Sequence, residues 1–229
     1  MCDQTMKRFS SRACWALVVC GLALGAGAAD ERTLSADGKT LTFNVGAGVV
    51  YTNETAIEST VTAIVKTGAG DACLGNRTNT TFKGTIDIHA GYLSGLEKCF
   101  GNPSTIGITN GAAILFTDFK SATFNANGPF RNTKFYIAGA GPDGNGAIQR
   151  PYAHCDFGDH GFTSYLEMLD DAMINVGCRW GFANTTLVMN NHELSFSATK
   201  HDKTYPPANF QRNRRCTLNA DKHFLVNRV

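Results

Sequence analysis

Apolar and β-branched residues occur along this chain in short bursts, many of which alternate with polar residues. Leu41, Phe43 and Val45 form the first burst, and Ile86 with Ile88 forms another. An alternation of period two places one set of side chains on each face of a β-strand. A helical pattern is not sustained over about twelve residues anywhere; only Thr163 to Ala172 could form a short helix, and it fits strands equally well. The pattern therefore predicts an all-β chain.

Turn residues separate these bursts and narrow the architecture. They include Gly46-Ala-Gly48, Gly68-Ala-Gly70, Asn110-Gly111 and Gly139-Ala-Gly141. Short, evenly spaced strands fit either a sandwich or barrel, or a β-solenoid. In a solenoid each turn of chain stacks on the previous one, and Gly and Asn recur at corners because they accept left-handed conformations. The Thr-rich and Asn-rich turns favour the solenoid, with a β-sandwich as the alternative.

One segment resembles a known repeat. It reads Ile64-Val-Lys66-Thr-Gly68-Ala-Gly70, then Leu74, then Asn79-Thr-Thr-Phe82-Lys-Gly84-Thr-Ile86-Asp-Ile88-His-Ala-Gly91-Tyr-Leu93. This is similar to the autotransporter-associated β-strand repeat, which runs as Lys-x-Gly-x-Gly, an apolar strand, Asn-x-[Phe/Tyr]-x-Gly and an apolar strand closing in Gly-x-Leu. The resemblance implies a single-stranded right-handed parallel β-helix on an exported surface protein. Asp71-Ala-Cys73 departs from the repeat, which has alternating apolar and Thr residues there, so an interruption is expected.

A looser second block extends the resemblance to about residues 40–196. It comprises Ile137-Ala-Gly139-Ala-Gly141-Pro-Asp143-Gly144-Asn145-Gly146-Ala-Ile148, Cys178-Arg179-Trp180-Gly181-Phe182 and Asn184-Thr-Thr-Leu187-Val-Met189-Asn190-Asn191-His192-Glu-Leu194. The predicted organisation is a signal peptide over 1–28, a β-helix over 29–118 with the repeat core at 64–93, a continuing β-helix or divergent β-rich part over 119–198, and an irregular polar and basic tail over 199–229.

The first 28 residues have the order of a secretory signal peptide. Lys7, Arg8 and Arg12 supply a basic start, residues 13–24 are an apolar run, and residues 25–29 are small. The run is shorter than the roughly 20 residues that span a membrane, so an uncleaved anchor is the weaker alternative. Cleavage near Ala28 would give an exported bacterial protein that is secreted, held at the cell surface or associated with the outer membrane.

The charge balance of the exported part limits its partners. Residues 1–28 contain three cations and Asp3, so their removal lowers the formal net charge from +2 to zero. A neutral chain gives no electrostatic case for nucleic acid. We expect a carbohydrate or a host or cell-surface ligand as partner, and contact with a membrane only through export or a missing barrel. Self-association is a further expectation, because an exposed final rung can pair end to end.

Five cysteines remain after the signal: Cys73, Cys99, Cys155, Cys178 and Cys216. Their number is odd, and an exported chain meets an oxidising compartment. A Cys73–Cys99 bridge is conceivable, but the spacing leaves the connectivity open. The chain has no Cys-x-x-Cys spacing, which gives no support to a structural zinc site.

The densest group of metal-ligand residue types is His154, Asp156, Asp159 and His160. On an extended strand His154 and Asp156 share a face, so metal binding is conceivable. A polar surface loop explains these residues better, and we expect neither a metal nor a cofactor.

Asp170, Asp171 and His160 are the candidates for catalysis, since glycoside hydrolysis needs two carboxyl groups that flank one bond. The motifs that accompany such pairs in pectin-cleaving β-helices are absent around them. The sequence leaves catalysis open and favours its absence. We therefore expect an exported structural or adhesin-like β-helix protein. The alternatives are a carbohydrate-active β-helix enzyme, of the polysaccharide lyase or hydrolase type, and a truncated autotransporter passenger.

Overall fold

The fold is built almost entirely from β-strands. The computed structural model describes residues 31–75, 78–79, 81–117, 130–150, 162–176 and 185–197, and the backbone of residues 216–219 and 224–226. These residues contain one 3-10 helical turn, Glu97–Cys99, and no helix long and apolar enough to cross a membrane. The strands are β1 (Arg32–Leu34), β2 (Thr40–Asn44), β3 (Val50–Thr52), β4 (Ala63–Thr67), β5 (Asp71–Cys73), β6 (Thr85–Ile88), β7 (Gly91–Gly95), β8 (Thr105–Ile108), β9 (Ala112–Phe116), β10 (Lys134–Gly139), β11 (Ile148–Arg150), β12 (Tyr165–Val176), β13 (Thr185–Val188), β14 (Glu193–Ser197), β15 (Cys216–Asn219) and β16 (Phe224–Val226).

The strands stack in parallel into two long sheets. In the first sheet β2, β4, β6, β8, β10, the first half of β12 and β13 pair in that order. In the second sheet β3, β5, β7, β9, β11, the second half of β12 and β14 pair likewise. The described residues thus form seven rungs, each with one strand in either sheet, and the predicted parallel β-helix is confirmed. The segment 163–172 that could have been helical belongs mostly to β12, which serves both sheets of rung 6.

Apolar columns fill the interior between the sheets. The strands are paired in register, so each inward-facing residue lies beside the inward-facing residue of the next strand. The apolar residues that alternate along the sequence therefore stack into columns. Burial of each large aliphatic side chain contributes about 1.5–3 kcal/mol. The first column of the first sheet, with at most 2% exposure, is Leu41, Ile64, Ile86, Ile106, Phe135, Leu166 and Leu187.

The side that leads from the second sheet back to the first uses polar side chains in place of strands. The hydroxyls of Thr133, Thr163 and Thr185 are donors to backbone carbonyls of the rung before, at 2.6, 2.5 and 2.5 Å. The buried amide of Asn79 likewise accepts from one neighbouring rung at 3.1 Å and donates to the other at 2.6 Å. Backbone groups that no sheet can pair there are therefore satisfied by side chains.

Aromatic and ionic contacts fill the interior of the middle rungs. Arg150 is fully buried and donates to the carboxylate of Glu97. Such a pair is costly to break, because removing one partner strands a buried charge. Ring centroids 4.7 to 6.3 Å apart join Phe100, Phe116, Phe130, Phe135 and Phe162.

The first corner, which we define as the segment joining the first-sheet strand of a rung to its second-sheet strand, is tight in rungs 1 to 3. A Cβ atom on Gly70 would lie 2.1 Å from the Gly46 carbonyl oxygen. One on Gly91, whose φ is +65°, would lie 2.3 Å from the Gly70 oxygen. Stacked glycines therefore let the backbones of these corners touch.

Both ends of the solenoid carry strands of opposite direction. β1 pairs antiparallel with β2, β16 with β13 and β15 with β14. β15 and β16 lie within 199–229, where the sequence predicts no strands. In the described residues the outer edge of β3 is the one solenoid end without a paired strand, and Val49 and Val50 beside it are 41% and 67% exposed. Self-association stays a prediction. The last rung, at which the sequence predicts it, is already paired with β15 and β16.

Candidate functional site

The first corner of rungs 6 and 7 brings Asp170, Asp171 and His192 together. The two aspartates lie where β12 passes from the first sheet to the second. Ala172 is paired in register with Leu194, so His192 lies one rung beyond Asp170. Stacking of rungs thus joins residues that are 22 positions apart in the sequence.

The geometry of this cluster is open. The Nδ1 atom of His192 is 3.7 Å from Asp170 Oδ1 and 3.5 Å from Asp171 Oδ1. Asp171 Oδ1 also accepts the backbone N–H of Glu193 at 2.8 Å. The side chains of Asp170 and Asp171 are 59% and 73% exposed, so water screens their charges.

Two kinds of chemistry fit these three groups. One ligand atom from each lies within 4.8 Å of the others, a spacing that suits a divalent ion of the zinc type, with two oxygens and one nitrogen. Two adjacent carboxylates and an imidazole are also the groups of general acid–base catalysis. Neither chemistry is sheltered here, because the carboxylates stand in solvent.

The sequence-derived candidates divide between two parts of the chain. Asp170 and Asp171 lie in the cluster, because both belong to the corner at which β12 passes from the first sheet to the second. His154, Asp156, Asp159 and His160 fall outside the described residues. His192 is a partner that sequence reasoning missed; the spacing of 20 to 23 residues between equivalent positions of compact rungs, such as Leu41, Ile64, Ile86 and Ile106, is the signal that could have found it.

A second polar group lies on the outer face of the second sheet. Asp71 is paired in register with Tyr92, and Ser94 Oγ donates to Asp71 Oδ1 at 2.7 Å. Burial raises the pKa of Asp71. Burial and a hydrogen bond to Asp143 raise the pKa of Tyr92 to about 12. Gln149 Nε2 donates to Asp143 Oδ1 at 2.9 Å, which completes a chain of contacts from rung 2 to rung 5.

Asp143 anchors the first corner of rung 5 within this group. Its carboxylate accepts the Asn145 backbone N–H at 3.0 Å and the Asn145 amide at 2.5 Å. Although burial opposes the shift, these bonds hold the pKa of Asp143 below its ordinary value. The Asp143-Gly-Asn145-Gly146 sequence, which has part of a calcium-loop pattern, therefore forms a turn that its own side chains close and that Gln149 ties to the sheet.

Lys66 is a buried cation inside an otherwise apolar column. Its neighbours in register are Phe43 and Ile88. Its ammonium donates to the carbonyls of Thr67, Gly68 and Ala90 at 2.7, 2.6 and 3.0 Å. Burial lowers the pKa of Lys66 to about 8. The ammonium thus donates all three of its protons and links the first corner of rung 2 to that of rung 3 by hydrogen bonds.

Searches of protein-family models, of curated proteins and of solved structures found no match to this chain. The resemblance of residues 64–93 to the autotransporter-associated repeat therefore stays a prediction.

Proposed function

We propose that the chain is an exported, non-catalytic β-helix protein that acts as a structural or adhesive element outside the cell. The observation that carries the proposal is the stack of seven rungs. Rungs joined by parallel ladders form a stiff rod whose flanks repeat every turn, a surface suited to binding extended partners. The basic, apolar and small segments of residues 1–29 support export.

The state of the candidate carboxylates also supports a non-catalytic role. General acid catalysis near neutral pH needs a carboxyl group whose surroundings keep it protonated, as an apolar pocket does. Asp170 and Asp171 are more than half exposed, so neither lies in such a pocket. This corner therefore resembles a solvated surface more than a reaction centre.

Export is tested by following the full chain in a bacterial host. We expect the mature protein to begin near Ala28 and to be released, or to be digested by protease added to intact cells. A matched chain that begins at residue 29 behind a new Met should stay inside. Retention of an uncleaved full-length chain in the cytoplasm would overturn the proposal.

A second candidate function is carbohydrate cleavage at the first corner of rungs 6 and 7. The observation that favours it is the convergence of Asp170, Asp171 and His192 across two rungs. Purified protein would be incubated with acidic and neutral polysaccharides, beside the Asp170→Asn, Asp171→Asn and His192→Gln variants. Activity that is lost in these variants and kept in Asp143→Asn would replace the non-catalytic proposal, whereas inactivity across the panel supports it.

A further inference from the structure

Exposed cations are concentrated along one edge of the first sheet. The described residues include five exposed Lys or Arg side chains. Four of them lie at the first residue of a first-sheet strand or up to three residues before it. The fifth, Lys98, lies in the 3-10 turn. We call the positions around the start of these strands the amino edge; its cations are Lys39, Lys83, Arg131 and Lys134.

In rungs 3 to 6 the carboxylates on the outer face of the first sheet and at its first corner lie beyond the amino edge. Residues 82–85, 103–105, 130–134 and 162–165 form the amino edge of these rungs and contain no Asp or Glu. Asp87 and Glu167 share one register position, two residues further along their strands, and Asp170 and Asp171 are at the first corner. The outer face of the first sheet is thus basic along its amino edge, which gives that edge complementarity to an anionic polymer.

Two tyrosines adjoin this basic edge on the outer face. The rings of Tyr136 and Tyr165, on rungs 5 and 6, have centroids 5.9 Å apart. Lys134 Nζ lies 5.7 Å from the Tyr165 ring centroid, so a cation lies over one of the two rings. Gly107 precedes Tyr136 in register and has no side chain; the Asp87 carboxylate of rung 3 extends over it, with Oδ1 2.9 Å from where a Cβ atom of Gly107 would lie.

Hydrogen bonds fix the far side of the tyrosine pair. Tyr165 Oη donates to Glu167 Oε2 at 2.6 Å, and Asn190 Nδ2 donates to Glu167 Oε1 at 3.1 Å. Glu167 is therefore held in place with lone pairs to accept hydroxyl groups. Aromatic faces beside cations, with a fixed acceptor opposite, are the groups that contact the ring, the carboxylate and the hydroxyls of an acidic sugar.

We propose that an anionic polysaccharide lies along the amino edge of the first sheet, with its carboxylates on Lys83, Arg131 and Lys134 and a sugar ring against Tyr136 and Tyr165. Lys83 and Lys134 are two rungs apart, about 10 Å along the solenoid axis. That separation suits charges carried on alternate sugars of an extended chain. The inference rests on the proposed function, in that it names the partner of an exported adhesive rod.

The test is binding of the purified full chain to immobilised hyaluronate by biolayer interferometry at low and physiological salt. We expect Arg131→Gln and Lys134→Gln each to weaken binding roughly threefold, and Tyr165→Ala to weaken it about tenfold. Lys98→Gln, which removes an exposed cation of the 3-10 turn that is not one of the amino-edge cations, should leave binding unchanged. Added salt should weaken binding, because the contacts are exposed.

Four outcomes would overturn the inference. They are a lack of binding by the wild-type chain, equal binding to the methyl ester of hyaluronate, equal loss in Lys98→Gln, and tighter binding to single-stranded DNA of matched charge. The unfolding midpoint of each variant is measured as well, so that a loss of binding is scored only for folded protein. Binding is measured on purified protein and therefore does not depend on export. If the protein is exported but does not bind hyaluronate, this inference alone is refuted. If it binds hyaluronate but is never exported, the proposed function alone is refuted.

Discussion

The first corner of this solenoid has opposite properties at its two ends. In rungs 1 to 3 glycines bring successive backbones into contact and the Lys66 ammonium is enclosed by carbonyls. In rungs 6 and 7 the same corner presents Asp170, Asp171 and His192 to solvent. One position in the repeating architecture can therefore serve either as a closed seam or as an exposed display site, depending on whether a side chain must fit between rungs.

The largest effect should come from filling the closed seam. In Gly70→Ala the new methyl group meets backbone on two sides, so we expect the free energy of unfolding to fall by about 3 kcal/mol or more. Chemical denaturation followed by circular dichroism measures this loss. Gly46→Ala is the matched control, since its Cβ would meet nothing closer than 4.0 Å, and its change should stay within about 0.5 kcal/mol. Equal midpoints for the two variants would show that the corners are not in contact.

Removing the buried ammonium should have the next largest effect. Lys66→Met fits the apolar column but leaves three carbonyls without their donor, at a cost of about 1–3 kcal/mol. Thermal and denaturant unfolding of this variant would be compared with Lys98→Met, in which an exposed lysine is replaced. If Lys66→Met is more stable than wild type, desolvation of the charge outweighs its hydrogen bonds and this link between corners is not stabilising.

Lys66 also gives the stability a pH dependence of definite sign. Its pKa is lowered by burial from 10.5 to about 8, so between these values the unfolded chain binds more protons and the free energy of unfolding rises with pH. Burial raises the pKa of Tyr92 from 10.0 to about 12, so above pH 10 the folded chain keeps a proton that the unfolded chain loses, and stability falls. Unfolding midpoints from pH 7 to pH 12 should rise and then fall. Lys66→Met should lack the rise and keep the fall; an unchanged rise in that variant would contradict the assignment.

The smallest effect is expected at the exposed end of the corner. Asp170→Asn and His192→Gln break contacts that water already screens, so each should change the free energy of unfolding by no more than about 0.5 kcal/mol. The same denaturation assay, at low ionic strength where exposed ion pairs are strongest, measures it. A loss as large as that of Lys66→Met would mean that this end of the corner is also structural.

The sequence was informative where structure depends on local alternation. Leu41 and Ile86 are each flanked by polar residues, and this alone predicts strands with one inward face. The interruption expected at Asp71-Ala-Cys73 did not break the stack, because β5 needs only Ala72 to face inward while Asp71 and Cys73 lie on the outer face. Cys73 and Cys99 are not joined to each other; the Cys99 thiol donates to the Gly75 carbonyl instead.

The candidate site was predictable only in part, because stacking of rungs is a non-local property. Asp170 and Asp171 are neighbours in the sequence and so were apparent as a pair. His192 joins them only once the register of β12 with β14 is known. β15 and β16 escaped prediction for a related reason, since their pairing with β14 and β13 is set by the end of the solenoid rather than by a clear local alternation.

The antiparallel strands at the ends make the rung a unit of length that is independent of the termini. A rung duplicated between β1 and the final strands would extend the rod by about 4.8 Å and leave both end pairings as they are. The same duplication would add one more position to the amino edge and one more to the first corner. The length of the solenoid and the number of its surface positions are therefore coupled by the architecture, so that a longer version of this chain would also repeat each surface position more often.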